Sequence, residues 1–200
     1  ISGTIIGSIA PMNAPAAAIL VASAVAIASK YVIKLKGRHI FNPATLGLVV
    51  SLWLFGLGDV WWAAAASLNV FGFAIPLTLA LIIANYKAGK LKVSVPFLVA
   101  TAILYAATRF VKVPFTTIGL LTFASTIPYY FAFIMVSEPK TSPFAAKEQI
   151  VFGIAVAMLY FALDFSNAKF PFFIALLVGN LAYSIYGSGL FRQKKQKQKT

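Results

Sequence analysis

Seven apolar runs of 16 to 25 residues recur along this chain, separated by short polar segments in which Lys is common. They cover residues 12–29, 40–57, 62–86, 93–110, 115–136, 148–163 and 170–186. A helix needs about 20 predominantly apolar residues to cross the hydrocarbon of a bilayer. The spacing therefore predicts an all-α fold: a polytopic membrane helix bundle of about seven spans. Some runs are short, and others are broken by Pro43, Pro76, Pro96 or Pro128. Neighbouring helices can satisfy a carbonyl freed by proline, so broken or re-entrant helices in an internal repeat fit the pattern.

Composition points the same way. Hydrophobic residues make up 60% of the 200 positions and charged residues 10%, against about 25% charged in ordinary soluble domains. Too few polar side chains remain to cover a globule in water. Cysteine is absent and His39 is the single histidine, which excludes disulfides, thiolate metal sites and multi-histidine metal or haem sites. The net charge of +13 would suggest nucleic acid in a soluble protein. Here the cations cluster between apolar runs, so the expected contacts are anionic lipid heads and the expected nucleic-acid partner is none.

Alternate loops divide the cations unequally. Fourteen Lys and Arg fall on one side, from Lys30 to the tail, and three on the other: Arg109, Lys112 and Lys169. By the positive-inside rule the richer side is cytoplasmic, which puts a multi-pass chain in the cell membrane with its C-terminus inside. Residues 1–187 read as the transmembrane helical domain, N-terminally incomplete because the chain starts at Ile1. Residues 188–200 read as a basic disordered cytoplasmic tail. Trp61 and Trp62 open the third run and suit an interfacial aromatic belt; a stacking platform for a flat cofactor is the alternative.

Two loops carry the candidate chemistry. In Lys36-Gly-Arg-His-Ile-Phe-Asn-Pro-Ala44, Asn42 precedes Pro43 at the start of an apolar run. Asn is suited to cap the first amides of a helix and Pro to occupy its first position. Such an N-terminus aimed into the protein offers a positive dipole end to an anion, with Arg38 and His39 nearby. The second loop, Met135-Val-Ser-Glu-Pro-Lys-Thr-Ser-Pro-Phe144, gathers Ser137, Glu138, Pro139, Thr141, Ser142 and Pro143 between two apolar runs. An ionisable Glu138 beside a span is a candidate ion or coupling site, with Lys140 or Arg38 as its simplest partner. Asp59 and Asp164 fall in outer loops and read as solvated, and Glu148 reads as a helix-start acid. No phosphate-binding loop, dinucleotide fingerprint or nucleophile elbow occurs, so no catalytic residues are assigned.

These loops, in this order, resemble those of a family of membrane proteins. Gly37-Arg-His-Ile-Phe-Asn-Pro-Ala-Thr-Leu-Gly47, Lys92-Val-Ser-Val-Pro-Phe97 and Ser137-Glu-Pro-Lys-Thr-Ser-Pro143 look like helix starts and a loop of the NqrB/RnfD family. Its members are membrane components of Rnf-type electron-transport complexes and of the sodium-translocating NADH:quinone reductase. The resemblance covers most of the chain from Tyr31 to Tyr186. It implies a component of a membrane oxidoreductase and translocase complex, in which electron transfer drives sodium or proton movement alongside partner subunits. It also implies flavin. Family members often carry FMN on a Thr in the connection matching residues 56–66, and that connection has no Thr here. Covalent FMN is therefore not expected. A non-covalent flavin, FMN or riboflavin, would use Trp61, Trp62 and Asn69 for stacking and hydrogen bonds, and Arg38, His39, Asn42 and Pro43 as further contacts. A small-solute channel or carrier, which needs only broken helices and midplane polar groups, is the alternative, and a purely structural membrane component is a third.

Overall fold

The structure, a computed structural model, describes residues 2–35, 37–59, 71–108 and 128–187. It is mostly helical. In chain order come α1 (Ser2–Ile9), α2 (Ala16–Val32), a two-residue hairpin of β1 (Lys34–Leu35) and β2 (Arg38–His39), and α3 (Pro43–Leu54). Then follow α4 (Phe71–Lys87), α5 (Leu91–Thr108), a π-helical turn (Phe131–Val136), α6 (Ala146–Phe165) and α7 (Pro171–Gly187).

Local chemistry explains several of the boundaries. Asn42 caps α3, its side chain accepting from the amide of Thr45 at 3.1 Å, and Pro43 takes the first helical position. The expected cap is thus present. Gly56, at φ 64°, stops the chain from continuing beyond Phe55, a left-handed conformation that glycine adopts without a Cβ clash. Glu148 lies in the first turn of α6, where a carboxylate complements the helix dipole.

Small residues set the closest approaches. Gly47 of α3 lies against Ala22 and Ala26 of α2, and Ser51 donates to the carbonyl of Ala18 at 2.6 Å, so α2 and α3 run antiparallel. A Cβ on Gly153 of α6 would press on the Val93 carbonyl of α5. Further along the same pair, Tyr160 of α6 meets Tyr105 of α5, so α5 and α6 run parallel. The α7 helix returns antiparallel to α6: Gly179 faces Phe152 and Val156, and Phe172 stacks on Tyr160 with ring centroids 3.9 Å apart. Phe97, Phe131, Met135, Phe173 and Leu176 fill the core between these helices.

The structure corrects the span count. Among the described residues two helices, α5 with 18 residues and α6 with 20, are long and apolar enough to cross a membrane. Three others, α2, α3 and α7, are apolar but shorter. The α3 helix has 12 residues, which at 1.5 Å per residue gives about 18 Å, well short of a hydrocarbon core of about 30 Å. The apolar run begins at residue 40, but the Asn42 cap and Gly56 trim the helix inside it. A seven-span bundle is therefore not supported. The run at 115–136 lies largely outside the described residues, and its described end is a π-helical turn. The eight-residue α1, with Ile5, Ile6 and Ile9 buried, is not expected from the apolar runs, because it is too short to register as a span.

Candidate functional site

The two loops singled out in the sequence meet in space. The π-helical turn ends at Val136, inside the protein, and its last carbonyls have no helical partners. Side chains take their place, with the Glu138 amide also donating to the Met135 carbonyl at 3.4 Å. Asn42, while capping α3, donates through Nδ2 to the Met135 carbonyl at 3.3 Å. Asn85 of α4 donates to the Phe133 carbonyl at 2.7 Å, and Ser137 Oγ donates to the same oxygen at 2.6 Å. One helix thus begins and another ends on Asn42, with Asn85 holding the ending one as well. All three polar residues are buried, where unpaired carbonyls would be costly.

The loop after the turn folds around Glu138. Thr141 Oγ1 donates to Glu138 Oε2 at 3.0 Å, and Ser142 Oγ donates to the Glu138 carbonyl at 2.7 Å. Pro143 is buried and Pro139 lies at the loop's outer edge. The partner of Glu138 differs from expectation: His39 Nε2 stands 3.9 Å from Oε1. Arg38 instead lies over the Phe144 ring, 5.3 Å from its centroid. Lys140 acts on Glu138 through space, together with Lys30.

Burial sets the electrostatics of this pair. It pushes the Glu138 carboxyl above the usual carboxylate range, against the opposing pull of the Thr141 hydrogen bond and the Lys30 and Lys140 charges. Burial also lowers the His39 imidazole, and the charges of Lys140, Lys30 and Lys34 lower it further. The two pKa values are thus driven toward each other, which favours movement of a proton between the groups. The buried Nε2 of His39 makes no hydrogen bond.

Both residues open onto a basin of about 690 Å³, whose wall also includes Asn42, Asn85, Ser137 and Pro139. Four lysines, Lys30, Lys34, Lys90 and Lys140, line it against the single acid Glu138. Its size falls within the range of small-molecule sites, and its charge suits an anionic ligand. The structure therefore brings His39, Asn42, Ser137, Glu138 and Pro139 to one cavity, with Thr141 and Ser142 bracing the acid. Arg38 does not line it, and Pro43 contributes as the helix start. Trp61, Trp62 and Asn69 lie outside the described residues.

Two features escape sequence reasoning. Lys90 counts among the loop cations in the sequence, yet it is 2% exposed. Its ammonium donates to the carbonyls of Pro143 (2.7 Å) and Ser142 (3.4 Å) and lies 4.5 Å from the centre of the Phe144 ring. Burial lowers its pKa to about 8. The available signal is its position between Gly89, at φ 66°, and an apolar helix. Asp164 reads as solvated in the sequence, yet Tyr105 donates to its Oδ2 at 2.8 Å and the Tyr105 and Tyr160 hydroxyls are 2.5 Å apart. Among the described residues no group of three or more His, Cys, Asp and Glu could hold a metal ion. Comparison with known protein families, characterised proteins and solved structures finds no match for this chain.

Proposed function

We propose that this chain is an integral membrane component of an ion-translocating electron-transport system of the Rnf and Nqr type. In this reading Glu138 and His39, at the wall of the basin, take up the coupling ion, and the basin's lysines hold an anionic ligand. The observation that carries the proposal is the meeting of one interrupted helix end, the π-helical turn, with the capped start of α3 beside the half-buried Glu138 carboxyl. Ion-coupled membrane proteins place their sites at such broken helices, and an ionisable side chain at membrane depth marks a transport path. The electron-transport part rests on the resemblance of residues 37–47, 92–97 and 137–143.

The helix surfaces support the membrane part of the reading. On α5, Val95, Val99 and Ile103 are 45–62% exposed at four-residue spacing, and on α6 Ile150, Val151, Ile154 and Met158 are exposed as well. Such stripes suit lipid and are costly in water. The basic residues of the basin lie near the starts of α5 and α6 and the end of α2, which agrees with a cytoplasmic assignment for that end. A multi-pass position in the cell membrane, contact with lipids and assembly with other electron-transport subunits belong to the same proposal.

The flavin in this reading is held non-covalently. The basin's volume, its lysines and the His39 Nε2, which makes no hydrogen bond, fit a phosphate-bearing flavin such as FMN, whose isoalloxazine supplies one- and two-electron redox chemistry when bound. This chain's part is to hold the anionic end through Lys30, Lys34 and Lys140.

The test uses the native complex in vesicles, with its absorption spectrum and electron-driven ion uptake as readouts. The expected result is a releasable flavin and uptake that Glu138→Gln lowers at least tenfold without altering flavin content. A preparation without flavin, which moves a small solute with no electron donor present, would establish the carrier instead.

A further inference from the structure

One face of α5 is polar at intervals along its whole length, although it faces the protein interior. Lys90 immediately precedes the helix, and Ser94, Thr101 and Tyr105 follow at spacings of four, seven and four residues, all on one face. Phe97 lies between them on that face. Ser94 and Thr101 are completely buried, and Lys90 and Tyr105 are at most 5% exposed.

At the basin end the polar groups are linked. Ser94 Oγ donates to Asn85 Oδ1 at 2.8 Å, and Asn85 holds the end of the π-helical turn beside Ser137 and Glu138. At the far end, the Tyr105 hydroxyl joins the Tyr160 hydroxyl and the Asp164 carboxylate. The 15 residues from Lys90 to Tyr105 span about 22 Å at helical rise. Between these ends stands Thr101, whose buried Oγ1 has no hydrogen-bond partner. A buried hydroxyl that lacks a protein partner calls for water.

We propose that the interior face of α5, from Ser94 through Thr101 to Tyr105, Tyr160 and Asp164, is a proton path, hydrogen-bonded within the protein at its two ends and completed by waters at Thr101, that connects the Glu138–His39 basin to the opposite end of the bundle. This rests on the transport reading above and names its ion. The chemistry selects the proton over a dehydrated metal cation. Hydroxyls spaced along a single helix face present about one oxygen per level, whereas a cation stripped of water needs several oxygens around it at once. Hydroxyls both donate and accept, so each can pass a proton onward through an intervening water. Ser94 and Thr101 are about 10 Å apart at helical rise, so Thr101 anchors a short file of waters past Phe97, and Asp164 is where the path meets the aqueous phase.

The experiment uses the full chain in proteoliposomes, with a potassium-diffusion potential as the driving force and a trapped pH dye as the readout. Wild type is expected to acidify the lumen faster than protein-free vesicles. Thr101→Val, which keeps the shape and removes the hydroxyl, should lower that rate at least tenfold. Thr101→Ser should keep it within about twofold, and Tyr105→Phe should lower it like Thr101→Val. Thermal unfolding in detergent confirms that each variant is folded, and Tyr105→Phe carries the test if Thr101→Val is not, with flux equal to wild type overturning the path. Wild-type flux equal to that of empty vesicles, or Thr101→Val flux equal to wild type, overturns the path. Sodium uptake in place of acidification overturns the proton assignment and leaves the transport role intact. Proton flux through the path with no electron-driven uptake in the native complex would remove the electron-transport reading alone.

Discussion

Replacing Lys90 with Met isolates what a buried ammonium contributes to the loop around Glu138. Met approaches Lys in length and volume, so the site stays filled while the donors vanish. The 2.7 Å bond to the Pro143 carbonyl is charge-assisted and contributes about 1.5–3 kcal/mol. The 3.4 Å bond to the Ser142 carbonyl is near the geometric limit and adds little. The Phe144 ring, 4.5 Å away, adds about 0.5–2 kcal/mol. Desolvation of the ammonium opposes these terms, and it is the cause of the lowered pKa. The net loss expected for Lys90→Met is about 1–3 kcal/mol, or roughly a 5- to 150-fold increase in the opened loop. Amide hydrogen exchange reads it directly, because the amide of Ser142 donates to the Glu138 carbonyl at 3.0 Å. Exchange at 137–145 should accelerate by that factor while the centre of α6 is unchanged. Exchange within twofold of wild type would mean that the Lys90 ammonium does not hold the loop closed. The sign of the pH dependence provides a second check. Folded Lys90 releases its proton near pH 8, before the unfolded chain does near 10.5. Between those values the unfolded state binds more protons, so wild-type stability gains with rising pH relative to Lys90→Met.

Asn42→Ala removes both the cap on Thr45 and the donor to Met135, and should destabilise by about 1–3 kcal/mol. Asn42→Asp keeps the capping acceptor, so it should recover part of that loss in thermal unfolding; full recovery would show that the Met135 bond contributes nothing. Burial holds the Glu138 carboxyl above its ordinary value of 4.5, so its stabilising share is complete below 4.5 and is lost as pH rises through the elevated pKa. Relative to Glu138→Gln, wild type should therefore lose stability over that interval in denaturant titrations at stepped pH. His39 acts in the opposite sense: its imidazole is lowered from 6.5, so its contribution is lost as pH falls through the folded value. Parallel pH curves for wild type and Glu138→Gln would contradict the burial argument.

What the sequence determined by itself was local. Helical character follows from the apolar runs, and the α3 start follows from Asn42 and Pro43, because capping depends on neighbours within three residues. The candidate loops were also legible, since two prolines and several hydroxyls around one Glu in an apolar stretch have few plain uses. Helix length was not legible from hydropathy, because an apolar run extends past the residues that cap and stop the helix within it. The tertiary structure decided which groups face each other. The pairing of Glu138 with His39 rather than Arg38 comes from the β1–β2 hairpin, which places adjacent residues on different neighbours. Lys90 and Asp164 look like ordinary loop charges, because nothing in sequence distance shows that one is covered by Ser142 and Pro143 and the other faces Tyr105. Their environments are built from residues more than fifty positions away, and only the packing of α5 against α6 brings those residues into contact.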